Sequence, residues 1–285
     1  MTLTALVGLS FIGCSTQPSP AKQPADFQIE RINFDDGYMY RLYDQSYDVT
    51  FVTGTLRAVR DYYSVRHEND LKWKAPSLKA FIAGVEFYRE KAFSVYPHAL
   101  IRDNLDVLII PGSASQVFSN GIEGSYSWAN TGSELKTIVM NHLDNIKKHP
   151  RSVTATFHHE FAHLLTLNYG RSDAIKAEWM TALPEGVDYI ENQKVSAGEK
   201  PDYVDDRTQL HHRGFVSSYS QTNYKEDMAE LHTAAVGFHP AVDDFDSLLE
   251  ERPLIRRKYE LLLELYAELT PPLDRQWFYQ QRNSN

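Results

Sequence analysis

The spacing of apolar and polar positions divides the chain into a strand-bearing first half and a helical second half. Gln28 to Ile32 reads as a short strand, and Asp35-Asp36-Gly37 as a turn. Asp48 to Arg66 mixes helical and strand cues and supports no single assignment. Ser77 to Phe93 carries a helical stripe of Leu78, Phe81, Ile82, Val85, Tyr88 and Phe93. Leu105 to Ile110 is a continuous apolar run closed by Pro111-Gly112, the pattern of a buried strand. Ser113 to Gly132 is rich in Ser, Gly and Asn and reads as loop, with a short strand near Tyr126 to Trp128. Thr137 to Leu143 is a further strand. A helix follows over Ser152 to Leu167, with Ser152 as N-cap after Pro150, Gly170 as stop, and Phe157, Phe161, Leu164 and Leu165 as its buried contacts.

Beyond that helix, Asp173 to Met180 is helical, Pro184-Glu185-Gly186 interrupts, and Val187 to Gln193 resumes the pattern. Val195 to Arg207 is polar and loop-like, and Phe215 to Ser220 is short and extended. Tyr224 to Val236 is a strong helix. Asp243 to Leu269, broken at Pro253, predicts helices with Leu248, Leu249, Ile255, Leu261, Leu262 and Leu265 in the core. Strands followed by helices predict an α+β fold.

The chemistry lies in the helix over Ser152 to Leu167, which contains His159-Glu160-Phe161-Ala162-His163, an H-E-x-x-H pattern. Residues four apart share a helix face, so His159 and His163 can offer two imidazoles to one metal ion. Glu160 can then reach a water held on that metal and act as general base. The register is unambiguous, because His158 has Ala162 four residues on. Catalytic zinc needs a third protein ligand, and the candidates downstream are Asp173, Glu178, Glu185, His211, His212, Glu226, Asp227, Glu230 and His232. Glu226 and Glu230 share a face of the helix that follows Asn223. Asn223-x-x-Glu226 also has the spacing of a capping box, in which the Glu serves only the helix end.

Composition narrows the function without fixing it. The 285 residues are 42% hydrophobic and 24% charged, enough to bury a large core. A net charge of -9 spread along the chain argues against a nucleic-acid partner. The single cysteine, Cys14, excludes an intrachain disulfide. It follows an apolar run, Met1 to Gly13, that is too short to span a bilayer and has the size of a signal-peptide core. Phe11-Ile-Gly-Cys14 is similar to a bacterial lipobox, although Phe11 stands where an aliphatic residue is usual and no Lys or Arg precedes the run. Ser15 to Ala25 is Pro-, Ser- and Gln-rich and reads as an extended linker. The expected organisation is a signal peptide over 1–13, a lipid-anchored linker over 14–25 and one catalytic domain over 26–285.

Three segments together resemble a known family: His158-His-Glu-Phe-Ala-His-Leu-Leu, Gly214-Phe-Val-Ser-Ser-Tyr and Glu226-Asp-Met-Ala-Glu. They resemble the zinc-binding metallopeptidases of Bacteroidetes lipoproteins, also described as substrate import-associated zinc metallohydrolase lipoproteins. The segment Tyr219 to Glu230 is similar to the zinc site of anthrax lethal factor. The resemblance implies a zincin-like fold, with a mixed sheet before the metal helix and an edge strand able to bind extended peptide. It implies Zn2+ held by His159, His163 and Glu226, with Tyr219 as a catalytic phenol and Glu230 orienting a zinc-bound imidazole. Met228 stands where the family commonly has an aromatic, a packing position. His158, His211 and His212 match no ligand position and are expected at the surface or the pocket rim. His232 falls on another helix face, and Glu185 is structural.

The implied activity is zinc-dependent hydrolysis of peptide or protein substrates. The implied location is the bacterial cell envelope, lipid-anchored at the outer membrane beside a TonB-linked nutrient-import system. A different class of function, a surface lipoprotein that binds glycan or peptide for an importer without cutting it, would have no need of Glu160.

Overall fold

The structure is a computed structural model that describes residues 27–63, 71–117, 123–125, 127–130, 135–140, 143–167, 172–192 and 204–284. Met1 to Ala25, including Cys14, and Gly170 lie outside the described residues. Its first element is a hairpin: β1 (Phe27–Phe34) pairs with β2 (Gly37–Asp44) antiparallel around Asp35-Asp36, with Phe34 opposite Gly37. β1 is longer than the strand read from the sequence. The ambiguous stretch from Asp48 resolves into β3 (Val49–Gly54) followed by α1 (Leu56–Tyr63). Its mixed cues were those of two adjacent elements.

β4 (Leu71–Lys74) and α2 (Leu78–Lys91) follow, the helix capped by the Ser77 side chain accepting from Ala80 N. After α3 (His98–Asn104) comes β5 (Val107–Ile109). The Ser- and Gly-rich stretch, expected as loop with one short strand near Tyr126 to Trp128, carries three strands: β6 (Ser113–Val117), β7 (Glu123–Ser125) and β8 (Trp128–Asn130), the last of which begins where the short strand was expected. Their pairing partners, not their own propensities, make them strands. β9 (Thr137–Val139) is shorter than expected, because Leu143 begins α4 (Leu143–Ile146).

The main sheet runs β1-β2-β3-β5-β9-β8 and is mixed: β3, β5 and β9 are parallel, the flanking pairs antiparallel. β4, β6 and β7 form a second sheet. Both faces of the main sheet are covered. Phe51, Leu108 and Ile138 face the larger core, while Val52, Val107, Ile109 and Val139 face a smaller one with Ala58, Val59 and Tyr63. Two-sided burial explains why Leu105 to Ile110 is apolar throughout instead of alternating.

α5 (Pro150–Leu167) lies under the larger core face of the sheet, with Phe157 and Phe161 against Phe93 and Tyr96. Its start corrects one expectation. Val153 N bonds to His149 O, so Pro150 is the first helical residue and Ser152 sits inside the first turn. The remaining chain is helical: α6 (Ser172–Met180), α7 (Arg207–His212), α8 (Tyr224–Ala235), α9 (Phe245–Glu251), α10 (Pro253–Tyr266) and α11 (Arg275–Ser284). Val187 to Gln193 yields only a 3-10 turn over Ile190–Asn192, and Phe215 to Ser220 bends into another over Tyr219–Gln221. Among the described residues no helix is long and apolar enough to cross a membrane.

Candidate metal centre

α5 and α8 pack together and bring their polar side chains to one point. Asn223 caps α8 by accepting from Lys225 N and Glu226 N. The Glu226 carboxylate turns away from that cap and meets His159 Nε2 at 2.9 Å and His163 Nε2 at 3.3 Å. The two Nε2 atoms are 3.2 Å apart. A tetrahedral zinc with bonds of about 2.0–2.1 Å sets adjacent donors about 3.3 Å apart. Two imidazoles and one carboxylate thus form a triangle of the size zinc requires. The donor set fits the metal.

The rest of the site orients these donors. His159 Nδ1 bonds Glu230 Oε1 at 2.8 Å, which turns Nε2 toward Glu226 and His163. Burial opposes charge on His159, but hydrogen bonds to Glu226 and Glu230 prevail and raise its pKa to about 10. Burial likewise pushes Glu226 up, yet the bonds from His159 and His163 hold it down at about 2.

Glu160 is buried, and that burial raises its pKa, against the opposing charges of His159 and His163 and a hydrogen bond from the Ala129 backbone. Tyr219 is 52% exposed, with its ring centroid 5.7 Å from that of His159. Partial desolvation, and then the negative charges of Glu226, Glu160 and Glu230, hold its phenol well above the ordinary range, so it remains a donor. A cleft of about 530 Å³ opens beside His159, Glu160 and Tyr219, with Thr156, Ser217 and Ala241 on its walls. A recess of about 230 Å³ adjoins it, lined by Trp128 and Ala129 of β8 together with His163, Lys225 and Glu226. A larger cavity of about 750 Å³, between Phe87, Arg151 and Arg282, contains none of these residues.

One expectation fails here. His158 is not at a rim but fully buried, its Nδ1 2.8 Å from Tyr96 Oη, and burial holds its pKa well below the ordinary value. The α5 helix is covered on nearly every side, so the residue next to His159 has no surface to reach. Asp227, one of the ligand candidates, points into the core instead. His211 and His212 end α7 outside the cleft, exposed Glu185 occupies a turn before Gly186, and Met228 packs in the core. His232 lies on another face of α8, as expected, bonded to Tyr96 Oη at 2.8 Å and Tyr266 Oη at 3.0 Å. His239 was not singled out from the sequence. It follows α8, is buried, and bonds Glu230 Oε2 at 2.8 Å.

A family described as "putative zinc-binding metallo-peptidase" matches residues 94–262, more than half the chain and the whole of the centre. The chain belongs to that family. A crystal structure of a Bacteroides caccae protein bearing the same description is 16% identical, over 77% of this chain and 82% of that one, with a TM-score of 0.47. No curated protein matches. The chain has the expected α+β build, a mixed sheet before the motif helix and a helical C-terminal part.

Proposed function

We propose that this family member is a zinc-dependent peptidase of the gluzincin kind, with His159, His163 and Glu226 as zinc ligands. The observation that carries the reading is the convergence of these three donor atoms within 2.9–3.3 Å at the mouth of a cleft that also holds Glu160 and Tyr219. When bound there, zinc lowers the pKa of a water toward about 7 and polarises a carbonyl oxygen. Glu160 accepts the proton of the attacking water and delivers it to the leaving amine. Its burial, by raising its pKa, makes it a better base for that exchange. Tyr219 donates its phenolic hydrogen to the oxyanion of the tetrahedral intermediate. β8 is the last strand of the main sheet among the described residues and lies beside the cleft, where an extended peptide can run along it.

The same reading extends to location. Cys14 carries lipid that anchors the domain at the outer membrane of a bacterial envelope, where it serves a TonB-linked nutrient importer. What supports this is the apolar run before Cys14 and the linker after it.

Chain purified without chelator should hold about one zinc, and Glu226→Ala should lose most of it. A peptide-library digest should proceed and stop on adding chelator. Glu160→Gln should keep its zinc and slow hydrolysis by about 10²–10⁴-fold. No zinc uptake by the parent, or equal rates for parent and Glu160→Gln, would sink the proposal. Tight binding of peptide or glycan with no cleavage would favour the importer-binding lipoprotein instead.

A further inference from the structure

Glu230 is held from two directions, and neither contact is explained by its bond to His159. Its carboxylate divides its work: Oε1 accepts from His159 Nδ1 at 2.8 Å, while Oε2 accepts from His239 Nε2 at 2.8 Å and from Ser217 Oγ at 2.5 Å. We propose that His239, assisted by Ser217, is a positioning residue that fixes Glu230 and through it the metal-facing orientation of His159. This rests on the zinc-site reading above.

The proton positions on His239 follow from its partners. Ala241 N–H donates to Nδ1 at 3.0 Å, so Nδ1 carries a lone pair. The hydrogen is therefore on Nε2, facing a carboxylate that can only accept. The backbone that delivers this ring is equally determined. α8 ends with Gly237 at φ +87°, in the left-handed region. Gly237 N bonds Ala234 O and Phe238 N bonds Thr233 O, the paired reversal of a Schellman motif. The chain folds back over the last turn of α8, and His239, nine residues after Glu230, returns to its carboxylate. Ser217 arrives from the other side, in the segment before the turn at Tyr219–Gln221, with Ser220 N donating to its Oγ at 3.2 Å.

A carboxylate with one partner can turn about its side-chain bonds. Glu230 has three donors on two oxygens and a partly buried setting, so Oε1 stays aligned with His159 Nδ1. That alignment keeps the imidazole plane directed at Glu226 and His163. Losing an outer partner of a metal-bound histidine typically costs about 10–100-fold in metal affinity.

The test compares parent, His239→Phe, His239→Gln and Ser217→Ala in two measurements. Zinc affinity, from competition with a chelator of known strength, should fall by about 10-fold in His239→Phe, the lower end of the loss expected when Glu230 itself is removed. It should recover most of that loss in His239→Gln, whose amide N–H can still reach Glu230, and fall less in Ser217→Ala. In apo protein, the His159 Nδ1 proton should give a sharp downfield NMR resonance that broadens or moves upfield in His239→Phe. Affinity within twofold of the parent and an unmoved resonance would overturn the proposal. Should His239→Phe fail to fold, His239→Gln and Ser217→Ala decide: a graded loss supports the assignment and parental affinity in both overturns it. Should the parent take up no zinc, the zinc-site reading falls, and the His159 resonance alone decides whether His239 positions Glu230.

Discussion

A buried ion pair lies one residue past Glu226, and Lys258→Met tests what it contributes. Lys258 and Asp227 are each about 1% exposed and 2.7 Å apart. Asp227 Oδ2 also accepts from Trp179 Nε1 at 2.8 Å and Tyr189 Oη at 2.7 Å. Lys258 Nζ donates to Gly214 O at 2.7 Å and lies 4.4 Å from the Phe215 ring centroid. Methionine keeps most of the volume and apolar contact but removes the charge. Breaking one partner of such a pair costs about 3–5 kcal/mol, because the other charge stays buried. Against a total stability of about 5–15 kcal/mol that is a large fraction. At about 2–4 °C per kcal/mol for a domain of this size, Tm should fall on the order of 10 °C.

Urea unfolding, followed by tryptophan fluorescence at fixed free zinc, gives the free-energy loss directly. The decisive comparison is the double variant Asp227→Asn with Lys258→Met. Asn keeps an acceptor for Trp179 and Tyr189 without a charge to strand, so the double variant should recover at least about 2 kcal/mol over Lys258→Met alone. A double variant as unstable as the single would show that the loss is one of packing. A single variant within about 1 kcal/mol of parent would refute the electrostatic account altogether.

Tyr219→Phe should keep full zinc and slow hydrolysis by about 10²–10³-fold, the usual effect of one oxyanion donor; a loss of metal would make Tyr219 structural instead. Burial, and then the charge of His159, lower His232 from 6.5 to about 3. As pH falls below about 6.5 the unfolded chain therefore takes up a proton that the native chain refuses. Stability present at pH 7 should decline toward pH 3 with a slope contribution of up to about 1.4 kcal/mol per pH unit. Urea titrations at pH 7, 6 and 5 should show that contribution missing in His232→Leu, and an unchanged slope would refute it. Cys14→Ser should release the protein from membranes or leave its precursor uncut; unchanged membrane partitioning would remove the lipid anchor and leave the metal centre untouched.

The parts of the centre legible in the sequence are those set by helical spacing. His159 with His163, and Glu226 with Glu230, are four apart on helices, and packing α5 on α8 brings the two pairs together. What spacing could not show is contact across a turn. His239 belongs to no helical series with Glu230, yet Gly237 after a strong helical pattern is the signal of a chain reversal that could have found it. His158 was misread because an amphipathic view assumes an exposed face, whereas Phe157, His158, Phe161, Ala162, Leu164 and Leu165 of α5 are all buried. The strands between Ser113 and Asn130 were legible only as a short strand near Trp128, for another reason. They are short and rich in small polar residues, and β8 is a strand only because β9 pairs with it.

α8 shows how the centre is held in register. Successive residues project about 100° apart around a helix. Glu226 and Glu230 face the imidazoles of α5, Asp227 faces Lys258 of α10, and His232 faces Tyr96 and Tyr266. Four polar side chains thus tie one helix to three surroundings, and all four are met by hydrogen-bond partners. Sliding α8 by one residue, about 1.5 Å, would part every one of these bonds at once and leave several buried groups unpaired. A uniform apolar seam could accept such a slip with little loss. The spacing of Glu226 from His159 and His163 is therefore set by the surrounding protein contacts.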